Sequence, residues 1–240
     1  MQKLICKDYE EMSRTAADLV AKEVQAKPDM VLGLPTGSTP VGMYRQLISM
    51  VQNGTLDFSQ VTTFNLDEYY PIDASNPQSY HYFMDENFFN HINIDRQRVH
   101  ILDGRCEDVQ QECAQYDARI RDFGGIDLQL LGIGGNGHIA FNEPDDFLDA
   151  NTHLVSLTAQ TVQDNARFFE SEDQVPTQAV TLGMQGILSA KKIIILASGK
   201  NKAKAVSEVF TGKITTQNPA SLLAAHRDVI FILDEAAAGL

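Results

Sequence analysis

Apolar positions recur along this chain in two alternating rhythms. Over residues 8–26, Met12, Ala16, Leu19, Val20 and Val24 fall at helical spacing, and Pro28 ends the segment. Residues 30–34 then run almost without polar interruption, as a buried strand does. The alternation continues. Helices are expected at residues 40–51, 79–90, 107–121, 157–169 and 202–210. Strands are expected at 61–66, 99–102, 126–131, 179–182, 193–196 and 229–233. Continuous apolar strands alternating with amphipathic helices predict an α/β fold, a mainly parallel sheet with helices on both faces. No repeat, low-complexity tract or linker interrupts the pattern, so a single domain over residues 1–240 is expected.

Composition narrows the function classes. No apolar run approaches the roughly 20 residues of a membrane helix, and the first residues lead into an acidic segment with no apolar leader core. Cys6, Cys106 and Cys113 are odd in number and form no C-x-x-C pair. This usage suits a reducing cytoplasm rather than a disulfide scaffold. A formal charge of −13 argues against nucleic acid as a partner. It does not exclude a small anionic substrate.

The densest chemistry follows the strand at 126–131, in Gly132-Ile-Gly-Gly-Asn136-Gly-His138-Ile-Ala-Phe-Asn-Glu143-Pro144. Its glycines permit sharp turns and close approach to a ligand. An imidazole and a carboxylate stand five residues apart at a strand's carboxyl end, where open α/β sheets bind ligands. A solvated loop histidine is the bland alternative. Gly132, Gly134 and Gly137 also fit the dinucleotide fingerprint, but Pro144 makes the continuation a poor helix.

Three further loops carry distinct chemistry. Gly37, Ser38 and Thr39 precede Pro40 at a helix start, where amides, hydroxyls and the helix dipole suit an anion. A simple helix cap would use the same residues. Asp67, leaving the second strand, would be partly desolvated and so a candidate general base. Capping or cation binding by Asp67 and Glu68 are the alternatives, although the histidines and cysteines show no metal-ligand spacing. Lys202 and Arg167 could each reach over a bound phosphate, or simply be surface cations.

Residues 33–40, 64–69 and 137–144 together resemble the glucosamine-6-phosphate deaminase family. The likeness extends through residues 165–169, 180–183 and 201–203, in the family's order. The resemblance implies a modified doubly wound α/β fold and conversion of glucosamine 6-phosphate and water to fructose 6-phosphate and ammonia, without a metal or redox cofactor. By the same resemblance, His138 would open the sugar ring, Glu143 would orient the imidazole, and Asp67 would move a proton from C2 to C1. Gly37, Ser38, Thr39, Arg167 and Lys202 would hold the phosphate.

Two departures from the family pattern stand out. Many members carry Asp where this chain has Asn136, which can orient His138 but adds no negative charge. Hexameric relatives bind N-acetylglucosamine 6-phosphate through Ser, Arg and Lys at positions that align here with Asp146, His153 and Val155. A carboxylate in place of the hydroxyl and an aliphatic chain in place of the ammonium would repel or fail to hold a phosphate, so an unregulated, monomeric deaminase is expected. The alternatives are 6-phosphogluconolactonase, whose related loop lacks the Phe-Asn-Glu-Pro continuation, and a non-catalytic sugar-phosphate sensor, for whose DNA-reading helices this chain leaves no segment.

Overall fold

The computed structural model describes all residues except 159–160, 164–165, 167–168, 170 and 172–173. Seven strands form one sheet: β1 (Gln2–Cys6), β2 (Val31–Leu34), β3 (Thr62–Asn65), β5 (Val99–His100), β6 (Leu128–Leu131), β9 (Lys192–Ala197) and β10 (Val229–Asp234). Their order is β1-β10-β9-β6-β2-β3-β5, and every pairing is parallel. A second, antiparallel sheet has the order β4-β8-β7, from β4 (Asp67–Tyr70), β8 (Gln178–Thr181) and β7 (His153–Ser156).

Period-two alternation within the central strands divides the core. Leu32, Ile194, Leu196, Ile230 and Ile232 face α1 (Tyr9–Ala26), α2 (Val41–Gln52) and α3 (Tyr80–Asn87). Val31, Leu131, Ile193, Ile195 and Phe231 face the other way, toward α4 (Val109–Asp122), α5 (Met184–Leu188), α6 (Ala203–Val209) and α7 (Glu235–Ala238). Helix starts follow local chemistry. Asp8, Ser79 and Asp108 each accept a first-turn amide with their side chains.

The parallel sheet and its two helical layers match the expectation, with one relocation. The apolar pattern places residues 179–182 among the parallel strands. They belong instead to the end of β8 and just beyond it, in the middle of the antiparallel sheet. A buried apolar run reveals neither the direction of a strand nor the sheet that receives it. The polar or exposed strands β1, β4 and β7 carry no such run and escape the pattern. The helix expected at 157–169 falls partly outside the described residues.

Topology places the crevice. From β2 the chain moves to β3 and β5 on one side, then returns to β6 on the other. The order therefore reverses between β2 and β6, and ligands bind outside the carboxyl ends of strands at such a reversal. The loops after β9, β6, β2 and β3 all open on that edge.

Candidate active site

The loop after β6 is folded around its own glycines. Gly134 donates to the His138 carbonyl at 2.9 Å, and a Cβ on Gly134 would lie 2.3 Å from the His138 ring. Only glycine lets the imidazole rest there. Gly137 is left-handed, with φ of 89, and a Cβ there would meet Asn218. Ala140 also occupies the left-handed region, with φ of 52, which is costly for a residue bearing a Cβ. This strain sits between His138 and Glu143.

Those two side chains come together. His138 Nδ1 lies 3.3 Å from Glu143 Oε2, at an angle outside hydrogen-bond geometry. Asn136 Nδ2 donates to the same Glu143 oxygen at 2.7 Å, and Thr161 Oγ1 donates to the other. Burial pushes the Glu143 carboxyl up, but the imidazole, Thr161 and Asn136 outweigh it and hold it at about 2. Glu143 is thus a fixed anion beside the imidazole. Asn136 also accepts from the His138 amide at 3.2 Å.

Asp67 opens β4 rather than trailing from β3, and it is buried. Burial, reinforced by the charge of Glu68, pushes its carboxyl up to about 8. Glu68 points elsewhere. It is fully buried and accepts from the amides of Tyr69, Tyr80 and His81, at the start of α3. The adjacent carboxylates therefore divide: Glu68 serves the helix, and the Asp67 side chain has no hydrogen-bond partner among the described residues. Capping explains Glu68 but not Asp67.

Strand β8 fixes Asp67 relative to the His138 loop. Asp67 pairs with Thr181, whose Oγ1 accepts from the Phe141 amide at 3.1 Å. Leu182 donates to Leu66 at 2.7 Å and accepts from Asn142 Nδ2 at 2.9 Å. On the other side, Ala220 donates to the Gly137 carbonyl and Gln217 to that of Asp145. Thr161, Thr181 and Asn218 have no local sequence signature, because each meets the loop from 18 or more residues away.

The anion loop, residues 35–40, leads into α2 at the neighbouring strand. Pro40 occupies the cap position and makes no side-chain cap bond, so neither Ser38 nor Thr39 caps this helix. The simple-cap alternative thus fails, and no described residue engages the Ser38 or Thr39 hydroxyl. Gly37 adopts φ of 87 with open space around it. The β9 loop approaches too: a Cβ on Gly135 would lie 3.4 Å from the Asn201 carbonyl. Lys202 closes the short 3₁₀ turn Lys200–Lys202 beside it. Arg167 lies outside the described residues.

Other chemistry lies apart. A recess of about 890 Å³ between α4 and β7 is lined by Asp117, Arg121, Asp149 and His153, among others, and shares no residue with the crevice. Among the described residues, no group of three His, Cys, Asp or Glu is placed to hold a metal ion. No described helix is long and apolar enough to cross a membrane.

Comparison with known proteins agrees with this geometry. The family model for glucosamine-6-phosphate isomerases/6-phosphogluconolactonase matches residues 7–231. The chain is 57% identical over 240 residues to a glucosamine-6-phosphate deaminase of Halothermothrix orenii, covering all of both proteins. It is 54% identical to one of Clostridium perfringens, covering all of this chain and 99% of that protein. A solved structure of a monomeric glucosamine-6-phosphate deaminase superposes with a TM-score of 0.97 at 47% identity, over all of both chains. A 6-phosphogluconolactonase from Thermotoga maritima shares the fold at 18% identity and a TM-score of 0.77, over 98% of this chain and 99% of that one. The chain belongs to the glucosamine-6-phosphate isomerase/6-phosphogluconolactonase family.

Proposed function

We propose that this protein is a glucosamine-6-phosphate deaminase, acting as a monomeric, single-domain cytoplasmic enzyme without allosteric activation. The observation that carries the reading is the pairing of two kinds of carboxylate on one sheet edge. Asp67 is buried and its carboxyl is pushed up to about 8, so it exchanges its proton near neutral pH, whereas Glu143 is held at about 2 as an anion against His138. Groups whose environments push them apart in this way divide acid–base work between them. Full-length identity above 50% to deaminases points to the same chemistry.

In this mechanism the loop amides and hydroxyls of Gly37, Ser38 and Thr39, with Lys202 and Arg167, grip the substrate phosphate. That grip fixes C1 and C2 near the acid–base groups. His138, oriented by Glu143 and Asn136, carries the anomeric hydroxyl proton to the ring oxygen, which opens the sugar to its aldehyde. Asp67 takes the C2 proton, giving an enolamine, and returns it to C1. C1 is now a primary alcohol and C2 an iminium. Water adds at C2 and ammonia leaves, forming fructose 6-phosphate. No step requires a metal or a redox cofactor, and a net charge of −13 does not suit nucleic acid.

The test is substrate choice. Purified protein is offered glucosamine 6-phosphate or 6-phosphogluconolactone, and products are followed by enzymatic assay. Turnover of the amino sugar with the lactone left at its spontaneous rate is expected. Accelerated lactone hydrolysis without ammonia release overturns the proposal in favour of a lactonase. Binding without turnover of either compound overturns it in favour of a sensor.

A further inference from the structure

The anion loop has a property that its sequence does not reveal. None of the backbone N–H groups of Thr36, Gly37, Ser38 or Thr39 donates to a described residue. Four consecutive amides without internal partners can serve a ligand only if their peptide planes are held in the right orientation. In a trans peptide the carbonyl of one residue and the N–H of the next point in opposite directions. Whatever holds the carbonyl therefore aims the amide.

Two tyrosine hydroxyls hold carbonyls in this loop. Tyr44 donates to Pro35 at 2.6 Å from within the core of α2, and so aims the Thr36 amide. Tyr9, the first residue of α1, donates to Ser38 at 3.1 Å and so aims the Thr39 amide away from α1. The same Tyr9 hydroxyl accepts from the Gly42 amide at 2.8 Å. Gly42 belongs to the first turn of α2, where the cap residue Pro40 offers no side-chain acceptor. One hydroxyl thus removes a carbonyl dipole that would repel an anion and ties the loop to the helix start.

The packing that permits this is specific. A Cβ on Gly42 would lie 3.0 Å from the Tyr9 ring and 2.3 Å from the buried Ser13 hydroxyl. Glycine at that position lets α1 approach α2 closely enough for the Tyr9 hydroxyl to reach both partners. Tyr9 is only half-buried, so the bond can be removed without opening the core.

We propose that Tyr9 is a positioning residue for phosphate binding: its hydroxyl holds the Ser38–Thr39 peptide so that the loop amides face the crevice. This inference rests on the assignment of residues 35–40 to the substrate phosphate. Tyr9 does not touch the reacting carbons, so its loss should weaken binding of ground state and transition state alike.

The experiment compares wild type with Tyr9→Phe in three measurements: KM and kcat for glucosamine 6-phosphate, binding of inorganic phosphate by calorimetry, and the thermal midpoint. KM and the phosphate Kd should both rise by roughly tenfold, with kcat changed less than about twofold and the midpoint nearly unmoved. Unchanged KM and phosphate Kd would overturn the inference. So would a fall in kcat that tracks a lowered midpoint with phosphate affinity unaltered, because the hydroxyl would then be a general structural bond. The phosphate measurement does not depend on turnover. If wild type shows no deaminase activity, the proposed function fails, and the effect of Tyr9→Phe on phosphate binding still decides the role of Tyr9.

Discussion

Replacing Asp67 by asparagine should remove catalysis and, in alkaline solution, stabilise the protein. Burial and the neighbouring Glu68 raise the Asp67 carboxyl from an ordinary 3.8 to about 8. Between those values the unfolded chain has released this proton and the folded chain has kept it. The folded state binds more protons, so stability falls as pH rises through that window and levels off above about pH 8. Each tenfold change in proton affinity is worth about 1.4 kcal/mol, so the whole gap corresponds to roughly 6 kcal/mol. The Asp67→Asn side chain has no proton to lose. Glu68, pushed up to about 7 by its burial, contributes a slope of the same sign in both proteins, so the difference between them reports Asp67. Urea unfolding of both proteins at pH 5.5 and pH 9 measures this. The stability difference should shift in favour of the variant by roughly 3 kcal/mol between the two pH values. Turnover should fall by about 10² to 10⁴, the usual contribution of a general base. Parallel stability curves, or a variant with near-normal kcat, would refute the reasoning.

Three other substitutions probe the His138 loop. Glu143 is held at about 2 against an ordinary 4.5, so it contributes roughly 3 kcal/mol above pH 4.5 that disappears as pH falls toward 2. Glu143→Gln should flatten stability across that acid range, as followed by circular dichroism, and should depress kcat by releasing the imidazole. Gly134→Ala places a Cβ 2.3 Å from the His138 ring; activity should drop by at least about tenfold while the far-ultraviolet spectrum stays native, and an active variant would show that the ring position is unimportant. Ala140→Gly relieves the left-handed strain at φ of 52, about 1 kcal/mol, and should raise the thermal midpoint by about 2–4 °C; a lower midpoint would show that the position is not strained.

Much of this molecule is legible from sequence alone. The central strands announce themselves because both of their faces are covered, so each reads as a short apolar run. The crevice loops are legible because glycines and titratable side chains gather after such runs at 33–40, 67 and 132–144. Other parts are hidden for physical reasons. Strand β1 exposes Gln2, Lys3, Leu4 and Ile5 at a sheet edge, so burial leaves no pattern there. Strand β4 begins with two carboxylates, and nothing local says that Glu68 would cap α3 while Asp67 turns elsewhere. Tyr9 meets Ser38 across 29 residues and Gly42 across 33. Thr161, Thr181 and Asn218 likewise reach the His138 loop from outside its own segment. Local sequence specifies elements and loops; pairings of this kind exist only once the sheet has assembled.

Positions 146, 153 and 155 also take definite places. His153 Nε2 stands 3.6 Å from Asp149, and Val155 packs beside the cluster of Tyr69, Ile72, Phe141, Leu157 and Ala179. Asp149 brings negative charge beside His153. None of the three positions offers a phosphate the hydroxyl, guanidinium or ammonium of the hexameric relatives, which supports the proposed independence from an activator.

The most direct test measures ammonia and fructose 6-phosphate released together from glucosamine 6-phosphate, over a full range of substrate and with or without N-acetylglucosamine 6-phosphate. Equal release of both products along one hyperbolic curve, unchanged by the second sugar, is the expected result. Release of neither product would contradict the assignment as a deaminase, and a sigmoidal curve sharpened by N-acetylglucosamine 6-phosphate would contradict its independence from allosteric control.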